Sequence, residues 1–221
     1  KARMNFHDTL IDKYLLPGST KLGTSYFMGG APATGKSSIL GLTGLPEGIL
    51  TIDPDQIKAM LPEYRELVRL KDFTAAHRAH EESSILSKSI LKTAANRGMD
   101  IVLDGVGDGE IGKIIDRVTQ QRNAGKKVIA NYVTTGTEIS VGRAKARAAS
   151  TGREVPETYI RDMHREISKL IPELAERGVF DELYLYNNDG AKPVLIFKAE
   201  GKKITVYDRL LYDKFLRQAN E

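Results

Sequence analysis

The stretch Gly30-Ala31-Pro32-Ala33-Thr34-Gly35-Lys36-Ser37-Ser38 matches the pattern GxxxxGK[ST] at every fixed position and follows the apolar run Ser25-Tyr26-Phe27-Met28. A strand that enters such a loop and leaves it as a helix turns several backbone N–H groups toward one point, a geometry that suits phosphate oxygens. Lys36 would add a point charge for the outer phosphates, and the Ser37 hydroxyl a ligand for Mg2+. A glycine-rich turn can meet the pattern by chance. The strand before it and the helix after it favour a nucleotide-binding loop over residues 30–38.

Along the rest of the chain apolar runs alternate with helical patterns, as in an α/β fold with a largely parallel sheet. Short runs predict strands at Thr24–Met28, Ile49–Ile52, Ile101–Leu103, Val128–Val133 and Leu183–Tyr186. Helices are predicted over Lys36–Gly41, Phe73–Asn96 as one long element, Ile111–Asn123, Glu138–Ala149 and Pro156–Arg177, three of them closed by Gly98, Gly125 and Gly178. A hairpin at Val194–Phe197 and Ile204–Val206 and a last amphipathic helix follow.

With 221 residues, 41% hydrophobic and no cysteine, the expectation is a single domain over residues 1–221, in a reducing cytoplasm and without disulfides or thiolate metal sites. No apolar run approaches the roughly 18 residues of a membrane span, so no membrane partner is expected. The formal charge of +4 is small for the length. Acids are interspersed with the bases, which speaks against a nucleic-acid partner and fits an anionic small substrate. Lys1 to Arg3, ahead of Met4, read either as an appended scar or as part of a longer chain.

Acids fall where strands run out. In Ile49-Leu-Thr-Ile-Asp53-Pro-Asp55 a carboxylate could accept the proton of an attacking hydroxyl at the sheet edge where open α/β sheets bind ligands, or Asp55 could merely cap the helix Gln56–Met60. In Ile101-Val-Leu-Asp104-Gly105 the acid fits a Mg2+ site as well as a turn into glycine, and Asp53 competes for the metal. Downstream, Arg143 and Arg147 share a helical face and Arg153 follows from a glycine-containing turn. Two readings fit them: a lid that brings cations to a phosphoryl group, or a solvated basic face. His7 and His164 stand alone and read as ordinary.

Read in order, GGAPATGKSS, TIDPDQIKAMLPEY, HEESS, IVLDGVG, RAKARAASTGREVP and FDELYLYNNDG resemble the zeta toxin family over about residues 26–190. The resemblance implies a P-loop NTPase fold of the kinase-like type, a three-layer sandwich with a helical lid. It also implies an ATP- and Mg2+-dependent kinase that phosphorylates UDP-N-acetylglucosamine at the sugar 3′-hydroxyl, often held by a cognate antitoxin. Carried over by position, Asp55 is the base, and Lys36 and Ser37 belong to the loop. Arg153 contacts ATP together with Arg143 or Arg147, Arg143 being preferred. Glu82 holds substrate, and Asp104 stands where the family has an acid before glycine, to meet substrate and metal. Val106 stands where the family usually has threonine. The expectation is transfer of a phosphoryl group to a small hydroxyl compound, with two rivals: a polynucleotide or nucleoside 5′-hydroxyl kinase, and a nucleotide-dependent regulatory module.

Overall fold

The structure, a computed structural model, describes residues 2–72, 74–105, 110–151 and 154–221; Phe73, Val106 and Arg153 lie outside the described residues. Its elements run α1 (Ala2–Leu15), β1 (Thr24–Gly29), a 3₁₀ segment (Lys36–Leu42), β2 (Leu50–Ile52), α2 (Pro54–Met60), α3 (Pro62–Arg69), α4 (Ala75–Arg78) and α5 (His80–Asn96). Then come β3 (Ile101–Asp104), α6 (Ile111–Asn123), β4 (Lys127–Thr134), α7 (Thr137–Thr151), α8 (Glu157–Glu176), β5 (Glu182–Asn187), β6 (Val194–Glu200), β7 (Lys203–Val206) and α9 (Arg209–Arg217).

Among the described residues seven strands form one sheet in the order β2-β3-β1-β4-β5-β6-β7. The pairs from β2 to β5 are parallel, and β6 and β7 add an antiparallel edge. Alternation of side chains across the strands splits the core in two. Phe27, Val128, Ala130, Tyr132 and Leu185 pack with Ile90 of α5, Val118 of α6 and Ile167 and Ile171 of α8. On the other face Met28, Val102, Val133 and Tyr186 meet Ile39 of the 3₁₀ segment, with Leu45 and Ile49 partly buried against them. Each such buried Leu, Ile or Phe contributes about 1.5–3 kcal/mol, so the loop between β1 and β2 is held by its own apolar side chains.

Three expectations change. The long helix is divided at Ala79, whose φ of −89° and ψ of −3° bend the path while Ala79 N and Ser83 N keep their bonds to Ala75 O and Ala79 O. The helix behind the loop is a 3₁₀ segment, closed by i to i+3 contacts such as Ser38 N to Gly35 O at 2.9 Å. Two helices unmarked in the sequence pattern are present. The first, α1, buries only Leu10 and Leu15, too few for a visible apolar stripe. The second, α3, begins at Pro62, which also forces Leu61 into extended backbone and ends α2.

Candidate functional site

Parallel pairing brings the ends of three strands to one level. Met28 of β1 lies beside Asp104 of β3, and Ile52 of β2 beside Leu103, so Asp53 and Asp104 leave adjacent strands where the glycine loop begins. At Gly30 and Gly35 the loop has no room for a side chain. A Cβ on Gly30 (φ +145°) would stand 2.6 Å from Val133 O and 2.9 Å from Thr34 Oγ1, and one on Gly35 (φ +86°) 2.3 Å from Asn188 Nδ2. The buried Thr34 hydroxyl donates to Ala31 O at 2.9 Å and closes the loop from inside. Ala33, at φ +61°, sits in left-handed backbone that costs a non-glycine residue about 1 kcal/mol or more. Because the following 3₁₀ segment is short, its dipole is small, and the positive charge at the loop comes chiefly from Lys36. Lys36 Nζ stands 3.9 Å from Asp104 Oδ1. Ser37 and Ser38 are exposed beside it, the Ser38 hydroxyl turned back to Gly35 O at 2.7 Å.

The capping role falls to Asp53. Its Oδ1 accepts the Asp55 N–H at 2.8 Å, and Pro54 fills the first helical position. Burial pushes the Asp53 carboxyl up, and the neighbouring charges of Asp104 and Asp55 push it the same way. Asp55 therefore stands in the first turn of α2, its side chain 46% exposed and its Oδ1 3.4 Å from Lys58 Nζ. The pair joins a half-exposed carboxylate to a mostly buried lysine stem, and an ion pair of this length contributes about 1 kcal/mol or less.

Of the two arginines of α7 named above, the structure brings Arg143 to the loop, while Arg153 lies outside the described residues. Its Nη2 donates to Asn188 O at 3.0 Å, and its buried Nη1 has no hydrogen-bond partner among the described residues. Arg147 is exposed one turn farther along α7. Asn188 also reaches the loop, its Nδ2 donating to Thr34 O at 2.8 Å. Sequence reasoning passed over Asn188, although it stands in the quoted NNDG at the end of β5; only the pairing of β5 with β4 puts it beside the loop.

Glu82, on α5, is occupied from an unexpected side. Arg3 donates to both its oxygens at 2.6 Å, and His7 lies 2.5 Å from Oε1. These contacts, that of Arg3 first, hold the Glu82 carboxyl below its usual range. Arg3 also pairs with Glu63 of α3 at 2.7 Å. His7, expected to stand alone, is thus a partner of the candidate substrate acid, as is Arg3. On the same helix, Tyr14 Oη donates to Thr51 O at 2.7 Å and accepts from Asp53 N at 3.2 Å, which ties α1 to the β2 end of the site. His164 does not stand alone either: it is buried between Ser140 Oγ at 2.8 Å and Gln218 Oε1 at 3.4 Å, and burial pushes its pKa down.

The model of the family described as Zeta toxin matches residues 12–200. The chain belongs to the zeta toxin family. Among curated relatives of this zeta toxin family member, the zeta toxin of Streptococcus pyogenes is 22% identical over 177 residues, covering 76% of this chain. The chain spans 62% of that relative's length. Among solved structures, AvrRxo1-ORF1 in complex with AvrRxo1-ORF2 and ATP superposes with a TM-score of 0.76 at 19% identity, over 99% of this chain and 74% of that one. A structure from the PezAT chromosomal toxin–antitoxin system of Streptococcus pneumoniae gives 0.74 at 15% identity, over 98% and 95%. At such identities the likeness speaks for the fold, an α/β P-loop kinase-like sandwich. Among the described residues no helix is long and apolar enough to cross a membrane.

Proposed function

We propose that this zeta toxin family member is an ATP-dependent kinase that moves the γ-phosphoryl group to a hydroxyl of a small molecule. A sugar nucleotide of the UDP-N-acetylglucosamine class is the first acceptor to test. One observation carries the reading: the glycine loop with Lys36 faces strand-end carboxylates on one side and, on the other, Arg143, whose buried Nη1 has no hydrogen-bond partner among the described residues. That orphaned donor and the Lys36 ammonium beside the loop fit the charge of a triphosphate. Ser37, Asp104 and Asp53 offer oxygen donors of the kind Mg2+ takes, and when bound the ion would neutralise charge on the phosphate oxygens.

In this reading Lys36 and the loop N–H groups hold the outer phosphates, and Arg143, with Arg147 and Arg153, adds cationic charge from the lid. Asp55 accepts the proton of the acceptor hydroxyl as its oxygen attacks the γ-phosphorus in line, while the bond to the bridging oxygen breaks and ADP departs with the electron pair. Glu82, anchored by Arg3 and His7, orients the acceptor. A cognate antitoxin is the proposed protein partner, by likeness in fold to AvrRxo1-ORF1, solved in complex with AvrRxo1-ORF2, and to a structure from the PezAT toxin–antitoxin system.

The test offers MgATP with UDP-N-acetylglucosamine or with an oligonucleotide and seeks the product heavier by one phosphoryl group. Transfer to the sugar nucleotide is expected, abolished in Asp55→Asn with ATP affinity changed less than about twofold. Full transfer by that variant would remove Asp55 as the base. Phosphate released only to water, with every acceptor offered, would replace the kinase by a nucleotide-dependent regulator.

A further inference from the structure

We propose that Asn188 is a positioning residue of the nucleotide site, setting the direction of the Gly35 N–H with its side chain and the place of the Arg143 guanidinium with its carbonyl. The inference rests on the nucleotide reading of the loop given above.

Asn188 is the residue after β5 and is 7% exposed. Its N–H donates to Thr134 O at 2.8 Å, which continues the parallel pairing of β5 with β4 by one residue. The position of its side chain is therefore fixed by the sheet and not by a loop. From there Nδ2 donates to Thr34 O at 2.8 Å. The peptide between Thr34 and Gly35 is planar and trans, so its C=O and N–H point in opposite directions. Holding the carbonyl on the Asn188 side turns the Gly35 N–H to the other side of the loop. A loop whose carbonyl were free could rotate that peptide and offer oxygen, not N–H, to an anion.

The same residue acts in a second direction. Its carbonyl accepts Arg143 Nη2 at 3.0 Å, leaving Nη1 buried and, among the described residues, unpartnered. One rigid point of the sheet thus carries both a backbone donor of the loop and the arginine of α7. Displacing Asn188 would disturb the two together, which links the entry of a triphosphate to the setting of the lid arginine. Close packing enforces the arrangement, because the 2.3 Å approach to a Cβ on residue 35 leaves room there only for glycine.

The experiment compares wild type with Asn188→Ala, which removes only the amide, and Asn188→Asp, which puts a carboxylate oxygen against the Thr34 carbonyl. MgATP and adenosine are titrated by calorimetry and melting is recorded for each protein. We expect ATP affinity to fall about tenfold in Asn188→Ala, the loss of one buried hydrogen bond, and further in Asn188→Asp. Adenosine affinity should be unchanged, and the Gly35 amide resonance should shift in both variants, a signature that general destabilisation would not give. Equal losses for ATP and adenosine, or ATP affinity unchanged in both variants, would overturn the inference while leaving the kinase reading intact. Wild type that binds no ATP would sink the kinase reading and this inference with it. Should neither variant fold, the wild-type Asn188 side-chain amide decides: slow hydrogen exchange with and without ADP supports the role, and rapid exchange refutes it.

Discussion

Replacing Asp189 by asparagine should cost about 2 kcal/mol at neutral pH and almost nothing in strong acid. The carboxylate sits at the turn after β5, its side chain 18% exposed. Oδ1 accepts the Thr135 hydroxyl at 2.7 Å and the Gly136 N–H at 2.6 Å, and Oδ2 accepts Lys214 Nζ at 2.7 Å. Burial by itself would push the carboxyl up, but Lys214, Thr135 and Gly136 together bring it from 3.8 down to about 2. A carboxyl whose folded value is depressed stabilises the fold above its unfolded value and loses that contribution as pH falls through the folded one. The gap of nearly two units corresponds to about 2 kcal/mol, fully present at neutral pH, about half gone near pH 3 and nearly absent near pH 2. Other carboxylates titrate in the same range, so the quantity to follow is wild type minus Asp189→Asn by urea unfolding between pH 7 and pH 3. At neutral pH the variant should melt about 4–8 °C lower. A difference that stays constant with pH would refute the assignment of this anchor between β4, β5 and α9 to a charged Asp189.

Gly30→Ala should abolish ATP binding while the protein still melts cooperatively, because the added carbon meets Val133 O at 2.6 Å, a backbone oxygen of β4 that cannot retreat; calorimetric affinity equal to wild type would contradict this. Asp100→Ala should destabilise by about 3–5 kcal/mol in urea unfolding, since it strands the buried Lys126 ammonium and the N–H groups of Leu22, Gly23 and Thr24. Adding Lys126→Met should recover part of that loss, and no recovery would mean that the stranded ammonium is not what costs. Glu82→Gln should lower stability by about 1 kcal/mol or less, as the pairs with Arg3 and His7 are only partly buried and glutamine keeps one oxygen for them, yet raise the KM for the acceptor without changing ATP affinity. A shift in ATP affinity instead would move Glu82 from the acceptor to the nucleotide.

Much of the frame was legible in the chain because its signals are local. The five parallel strands announce themselves as short apolar runs, and Gly98, Gly125 and Gly178 mark where helices stop and do adopt the positive φ that such ends require. The loop declared its own chemistry through residue types at fixed spacing. Helix α1 escaped because its Leu10 and Leu15 make no visible stripe, and the 3₁₀ form behind the loop escaped because residue types suited to either helix do not reveal which hydrogen bonds close.

The sequence by itself determined the glycine loop, the acids that end β2 and β3, and the parallel sheet that carries them, since each depends on neighbours within a few residues. Only the tertiary structure decided which of those groups meet. Asp53, not Asp55, caps α2; Arg3 and His7 hold Glu82 across more than seventy residues of chain; Asn188 joins the loop to Arg143. Such contacts arise from strand order and packing, which bring distant segments to hydrogen-bond distance, and spacing along the chain carries no measure of that distance.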